Sequence, residues 1–264
     1  MVFMSWEALI NMVIKYWPMF LRGARDTLYI SIIGTCIGFL IGLLIGVVRT
    51  IPMLEKGVKR ILIKIVNIVL SIYIEVFRGT PMIVQAMVIY YGSLMAFGID
   101  MKPMFAGIFI VSINTGAYTA EIVRGGIISI DKGQFEAAHA IGMNHINTML
   151  YVVIPQVIRN ILPAIGNEFV INIKDTSVLN VISVTELYFQ TKSVAGNNYK
   201  FFEAFTVASI IYLIMTLSVT RILRFIEKRM DGPDNYNVIP GNQMQVSRPE
   251  DLLKRSKGQS NKKY

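Results

Sequence analysis

Five apolar stretches, each bounded by polar or cationic residues, set the pattern of this chain. Residues 28–48, 80–99, 103–120 and 204–220 carry no Asp, Glu, Lys or Arg, and residues 156–173 carry only Arg159 and Glu168. A helix crosses a bilayer with about 20 apolar residues, within a range of ~17–25, so each stretch predicts a spanning helix. Residues 65–74 are too short to span and predict a helix leading into the second crossing. The expected architecture is all-α and integral to a membrane, with about five transmembrane helices.

Composition points the same way. Hydrophobic residues make up 53% of the chain, charged residues only 16%, and mean hydropathy is +0.52; soluble domains carry roughly 25% charge. Cytoplasmic loops retain Lys and Arg, and an N-terminus outside with the C-terminus inside puts 19 of the 26 Lys and Arg on the inner face. The reverse orientation inverts that ratio. The first 26 residues show no basic head followed by an apolar stretch and a cleavage site. With Trp6, Tyr16 and Trp17 among apolar neighbours, they predict an interfacial helix. The chain thus divides into an extracytoplasmic or interfacial segment (1–26), a membrane domain (27–225) and a basic cytoplasmic tail (226–264). Over half of the +9 net charge lies in residues 221–264, where it serves as a topology signal or a contact with anionic lipid rather than a nucleic-acid site. The single cysteine, Cys36, excludes an internal disulfide.

Within the spans, Gly34, Gly38, Gly42 and Gly46 recur every fourth residue and predict one helix face open to close approach by another helix. Glu75 and Arg78 are spaced to pair along a helix, and Gly79 and Pro81 break it; a pivot at the cytoplasmic membrane surface has this composition, and so does a plain loop. Glu121 and Arg124 repeat the spacing ahead of Gly125-Gly126 and fit ion pairs at the membrane boundary. The fourth span holds Asn167 and Glu168, with Lys174 and Asp175 near its outer end. Charge at that depth costs about 2.5–3.5 kcal/mol on insertion scales and normally faces a partner or a wet cavity. Two readings stand open: a polar path through the bundle, or a Lys174 that snorkels and a Glu168 that locks two helices together.

The loop before the fourth span is ordered in its own way. Residues 134–146 are Ala-containing and helix-compatible, with Glu136 suited to the positive end of a helix and Gly142 to the left-handed conformation that ends one. Residues 144–150 allow a second short helix, and Pro155 fits the start of the fourth span. Two short helices at an angle make a cytoplasmic knob, the shape a soluble partner grips. His139 and His145, six apart and without cysteine nearby, do not match a metal site. The chain has no phosphate-binding loop, nucleophile elbow or HExxH. Any ATP hydrolysis that powers it must belong to a separate subunit.

These residues carry a resemblance. The Glu136-Ala137-Ala138 loop with Gly142 and Ile154-Pro155 resembles the coupling motif of ABC-transporter permeases of the type I importer class. Residues 73–85 (YIEVFRGTPMIVQ), 116–126 (GAYTAEIVRGG), 132–134 (KGQ) and 166–177 (GNEFVINIKDTS) resemble its polar amino-acid (histidine/glutamine/arginine-like) branch, in the family's order over about residues 23–225. The long basic tail and His139 depart from the pattern. The resemblance implies a five-helix permease that dimerises with itself or a similar subunit. It also implies two ATP-binding cassette subunits that hold ATP and magnesium, an extracytoplasmic amino-acid-binding protein, and no cofactor in this chain. Glu136, Ala137, Ala138, Gly142 and Pro155 would belong to the coupling loop. Polarity within the spans nominates Asn114, Tyr118, Glu121, Asn167, Glu168, Lys174 and Asp175 for the translocation path. An ion-coupled carrier or channel without an ATPase is the alternative; a membrane enzyme lacks a catalytic pair.

Overall fold

The computed structural model describes residues 6–51 and 57–230. Among them every regular element is helical: α1 (Trp6–Val48), α2 (Val58–Gly79), α3 (Met82–Phe97), α4 (Pro103–Ile128), α5 (Lys132–Ala140), α6 (His145–Thr148), a π-turn (Met149–Val153), α7 (Ile154–Asp175), a 3-10 segment (Thr176–Ile182), α8 (Leu187–Asn198) and α9 (Phe201–Met230). Four stretches are long and apolar enough to cross a membrane: Trp6–Val48, Pro103–Ile128, His145–Ile182 and Phe201–Met230. The expected tail from residue 231 onward lies outside the described residues.

The glycine ladder finds its partner in α4. A Cβ on Gly34 would lie 2.5 Å from Val111, on Gly38 2.7 Å from Thr115, on Gly42 2.5 Å from Thr119 and on Gly46 2.6 Å from Val123. Both series advance by four residues in the same sense, so α1 and α4 run parallel with their backbones in near contact. Lipid offers no hydrophobic drive between helices, so van der Waals contact at such seams and interhelical hydrogen bonds hold the bundle. Asn172 of α7 supplies one such node: its Nδ2 donates to Thr35 Oγ1 at 2.8 Å and to Thr115 Oγ1 at 2.9 Å. Contacts of Gly126 with Ile161 and Val157, and of Gly166 with Leu223, set α7 antiparallel to α4 and α9 antiparallel to α7.

Because α1 and α4 are parallel, the chain between them must return across the bilayer. It does so in two pieces. At about 1.5 Å per residue the 16 residues of α3 span about 24 Å, less than the ~30 Å hydrocarbon core; the last turns of α2 supply the rest. The crossings number five when this broken one is included. The break at Gly79-Thr80-Pro81, which the sequence allowed as a pivot or a plain loop, is level with the middle of α4: Asn114 there reaches the Phe77 carbonyl and Gln85 beside the break. Arg78 is not paired with Glu75; its guanidinium stands over the Tyr118 ring, 5.5 Å from the centroid.

Two further expectations change. The first crossing does not begin at residue 28: α1 is one unbroken helix of 43 residues, about twice the length the hydrocarbon core needs. No backbone break separates residues 6–26 from the span. The third crossing runs on to Ile128, which places Glu121, Arg124 and Gly125-Gly126 inside α4.

Candidate functional site: a coupling knob and a polar face

The knob forms as its local sequence dictates. Asp131 caps α5 by accepting from Gly133 N at 2.6 Å, and Asn144 caps α6 by accepting from Asn147 N at 2.9 Å; each side chain occupies a backbone donor that has no helical partner. Between them Gly142 takes φ +83, the left-handed conformation that a side chain resists. Its N–H donates to the His139 carbonyl and that of Met143 to the Ala138 carbonyl. The second short helix is shorter than expected, because the chain widens into the π-turn after Thr148. Pro155 stands exposed in the first turn of α7.

The knob has two faces. Phe135 packs against the cluster of Val123 and Ile127 of α4, Met149 and Val153 of the π-turn, and Val157 and Ile161 of α7, and Ala138 is only 4% exposed. Glu136, Ala137, His139 and Ile141 turn outward, and Ile141 and Ile146 are 79% and 68% exposed. Apolar side chains at the tip of a polar loop suit a protein partner rather than water.

The nominated path residues separate into groups. Glu168 and Asp175 are seven residues apart, hence on one helical face, and both Asp175 and Arg78 lie close enough to act electrostatically on the Glu168 carboxyl. With Tyr118 beneath Arg78, these four form one polar face spanning α2, α4 and α7. Asn114 joins it through the helix break. In a continuous helix the Phe77 carbonyl would accept from the N–H of residue 81, which proline lacks. The Gln85 amide fills that role, donating to the carbonyls of Phe77 and Thr80 at 2.9 Å, while its oxygen accepts from Asn114 at 2.9 Å. Asn167 is exposed on α7.

Two nominees lie elsewhere. Glu121 is bridged by Arg49 and by Arg124, the latter at 2.9 Å, which ties the C-terminal end of α1 to α4. Lys174 lines a recess of about 490 Å³ with Tyr188 of α8 and Tyr212 of α9, on another side of α7 from Asp175. Sequence reasoning missed Arg49, Gln85 and Asn172, and assigned Arg78 to a surface pair. For Gln85 a signal existed: it is a lone amide inside an apolar run.

The chain matches the family described as binding-protein-dependent transport system inner membrane component over residues 38–232. It is 41% identical over 214 residues to the glutamine transport system permease protein GlnP of Escherichia coli (strain K12), covering 81% of this chain and 93% of that one. It is 35% identical over 227 residues to the nopaline transport system permease protein NocM of Agrobacterium fabrum (strain C58 / ATCC 33970), covering 83% and 90%. A crystal structure of an amino acid ABC transporter with histidines matches at TM-score 0.74 and 38% identity, over 86% of this chain and all of that one. An inward-facing methionine ABC transporter, MetNI, shares the fold at TM-score 0.66 and 18% identity, over 80% of this chain and 95% of that one.

Proposed function

This chain belongs to the family of binding-protein-dependent transport system inner membrane components, and on that premise we propose that it forms the path for uptake of a polar amino acid. It is a multi-pass membrane permease with a non-catalytic role. In the proposed assembly it pairs with itself or a similar permease, stands on two ATP-binding cassette subunits at the knob, and receives substrate from an extracytoplasmic amino-acid-binding protein. The N-terminus lies outside and the C-terminus in the cytoplasm.

The observation that carries this reading is the two-faced knob. Its outer side offers Glu136, Ala137 and Ile141 to a partner, while Phe135 packs against the apolar cluster that holds Val123 of α4 and Val157 of α7, and Ala138 beside it is buried. A push on the knob reaches the two helices that carry Tyr118, Glu168 and Asp175. Differential affinity of the nucleotide-bound and nucleotide-free cassettes for two positions of the knob then biases the bundle between its two states. Glu168 and Asp175 suit the ammonium group of an amino acid, and Arg78 its carboxylate. Glutamine is the first substrate to test, since the E. coli relative carries that name. The ion-coupled alternative is not favoured.

The test is uptake of labelled glutamine into vesicles holding the permease with its ATPase and binding protein, with other amino acids as competitors. ATP-dependent uptake is expected, and Glu136→Lys combined with Gly142→Trp abolishes it while the permease still inserts. Concentration of solute by this chain alone under an ion gradient would overturn the reading.

A further inference from the structure

The join between the knob and α7 contains more than a swivel requires. Over Met149–Val153 the helix widens, so that Ile154 N–H donates to the Met149 carbonyl five residues back rather than to that of Leu150. A π-turn holds one residue more than the α-helix around it. Its cause is local. Pro155 has no N–H for the Tyr151 carbonyl, and in an unbroken α-helix its ring would press on that oxygen. Widening the turn relieves the clash, and within the widened turn the Val152 carbonyl takes a side-chain donor. Gln156 Nε2 donates to Val152 O at 2.8 Å and to Gln134 Oε1 of α5 at 3.2 Å. One side-chain amide thus holds the widened turn and, across 22 residues of sequence, the first turn of the knob.

We infer that Gln134 and Gln156 are positioning residues for coupling: their paired amides lock the register of the π-turn and tie α5 to α7, so that displacement of the knob turns α7. Winding the π-turn into α-helix would lengthen the join by about 1.5 Å and rotate α7 by about 100° relative to the knob. That relaxation would absorb the displacement before it reached Glu168 and Asp175. The apolar contacts of Phe135, Met149, Val153 and Val157 hold the inner side of the join and resist separation, but they are non-directional; the amide pair supplies the direction. The inference rests on the permease reading above.

The test measures ATP hydrolysed per substrate molecule imported, in vesicles holding the complete transporter, for Gln134→Ala, Gln156→Ala, both together, and Gln134→Glu with Gln156→Lys. Each single change is expected to raise the ratio about threefold, the factor that one ordinary hydrogen bond represents. The double alanine variant should be no worse than Gln156→Ala, and the opposite-charge pair, which keeps a donor for Val152 O, should restore the ratio. A merely structural role would change the amount of assembled transporter and leave the ratio alone. Unchanged ratios in the single variants, or effects that multiply in the double, would overturn the inference. Should Gln156→Ala assemble poorly, Gln134→Ala decides, because it leaves the Gln156–Val152 bond in place. Absence of ATP-driven uptake in the unsubstituted transporter would sink the permease reading, whereas normal uptake with an insensitive ratio would sink this inference alone.

Discussion

The α1–α4 seam and the α2–α3 crossing solve the same problem in opposite ways. Along the seam, four glycines of one helix meet Val111, Thr115, Thr119 and Val123 of another, and both backbones remain unbroken. In the crossing, Gly79-Thr80-Pro81 interrupts the helix level with the middle of α4, and the side chains of Gln85 and Asn114 take over what the backbone gives up. Close backbone contact permits almost no adjustment, since closely packed surfaces are bistable rather than continuously deformable. A break whose carbonyls bond to side chains can change angle by exchanging those bonds. Under the proposed function the seam serves as the frame of the permease, and the broken crossing, with the α7 face beside it, as the part that moves and meets substrate.

Breaking the frame should have the largest effect. In Gly42→Leu the new Cβ alone would lie 2.5 Å from Thr119 Cβ and 2.8 Å from the backbone nitrogen of Ala120, and backbone cannot swing aside. Overpacking of this kind costs about 1–3 kcal/mol even where side chains can adjust, so little assembled permease is expected in the membrane, measured by detergent-resistant folded protein. Normal amounts would remove the distinction drawn between the two regions. Next in size is Glu168→Gln, which removes a charge from the moving side while keeping the shape of the side chain. Charged hydrogen-bonding contacts are worth about 1.5–3 kcal/mol, which predicts uptake lowered roughly ten- to a hundredfold with assembly unchanged. A fall in assembly matching the fall in uptake would reassign Glu168 to the frame.

Gln85→Leu probes the break itself, with a smaller effect. It strips the donor from the Thr80 carbonyl and leaves the Phe77 carbonyl and the Asn114 amide only their longer bond to each other at 3.4 Å. Each buried polar group left unpaired costs about 1–3 kcal/mol. The measured outcome should be a lowered unfolding temperature in detergent, together with loss of uptake. If Gln85→Leu raised stability, the amide would be a moving part that works against the frame, and the comparison would gain a sharper form.

Much of this division could be read from residue order, and the unread portion has a common cause. The glycine spacing announced a close approach without naming α4, because a four-residue period marks a face and not its partner. The knob was legible in its caps and at Gly142, where residue type and backbone conformation are tightly linked. The break at Gly79 and Pro81 was legible, but its surroundings were not: the donors that its carbonyls find, Gln85 and Asn114, come from eight and 37 residues away. Glu121 shows the same limit. Its spacing to Arg124 gave one half of its ion pairs, whereas Arg49 arrives from another helix, 72 residues distant. Pairings between helices leave no periodic trace in a single sequence.

The smallest predicted effect asks whether the frame extends outward to α8. Glu186 lies between the fourth and fifth crossings and is fully buried; its carboxylate accepts from the backbone N–H groups of Tyr188 and Phe189 at 2.8 Å and from Tyr212 at 3.0 Å. Beside it, Leu187 N donates to Thr27 Oγ1 of α1, and a Cβ on Gly23 would fall 2.7 Å from the Leu187 backbone, so this corner continues the tight packing of α1. Burial lifts the Glu186 carboxyl above the ordinary glutamate range, outweighing the three hydrogen bonds that favour its charged form. Between the ordinary value and the raised one, the folded protein keeps a proton that the unfolded chain has released. Stability is therefore greatest below that window and falls as pH rises through it, by at most about 1.4 kcal/mol per pH unit for one proton. Gln at this position does not titrate and gives one N–H where the cap needs an acceptor, so Glu186→Gln should be slightly less stable at low pH and lack this part of the slope. Thermal unfolding of the two proteins across mildly acidic to neutral pH makes the measurement. Identical slopes would mean that the corner opens to water as the protein works, placing it with the moving crossing rather than with the seam.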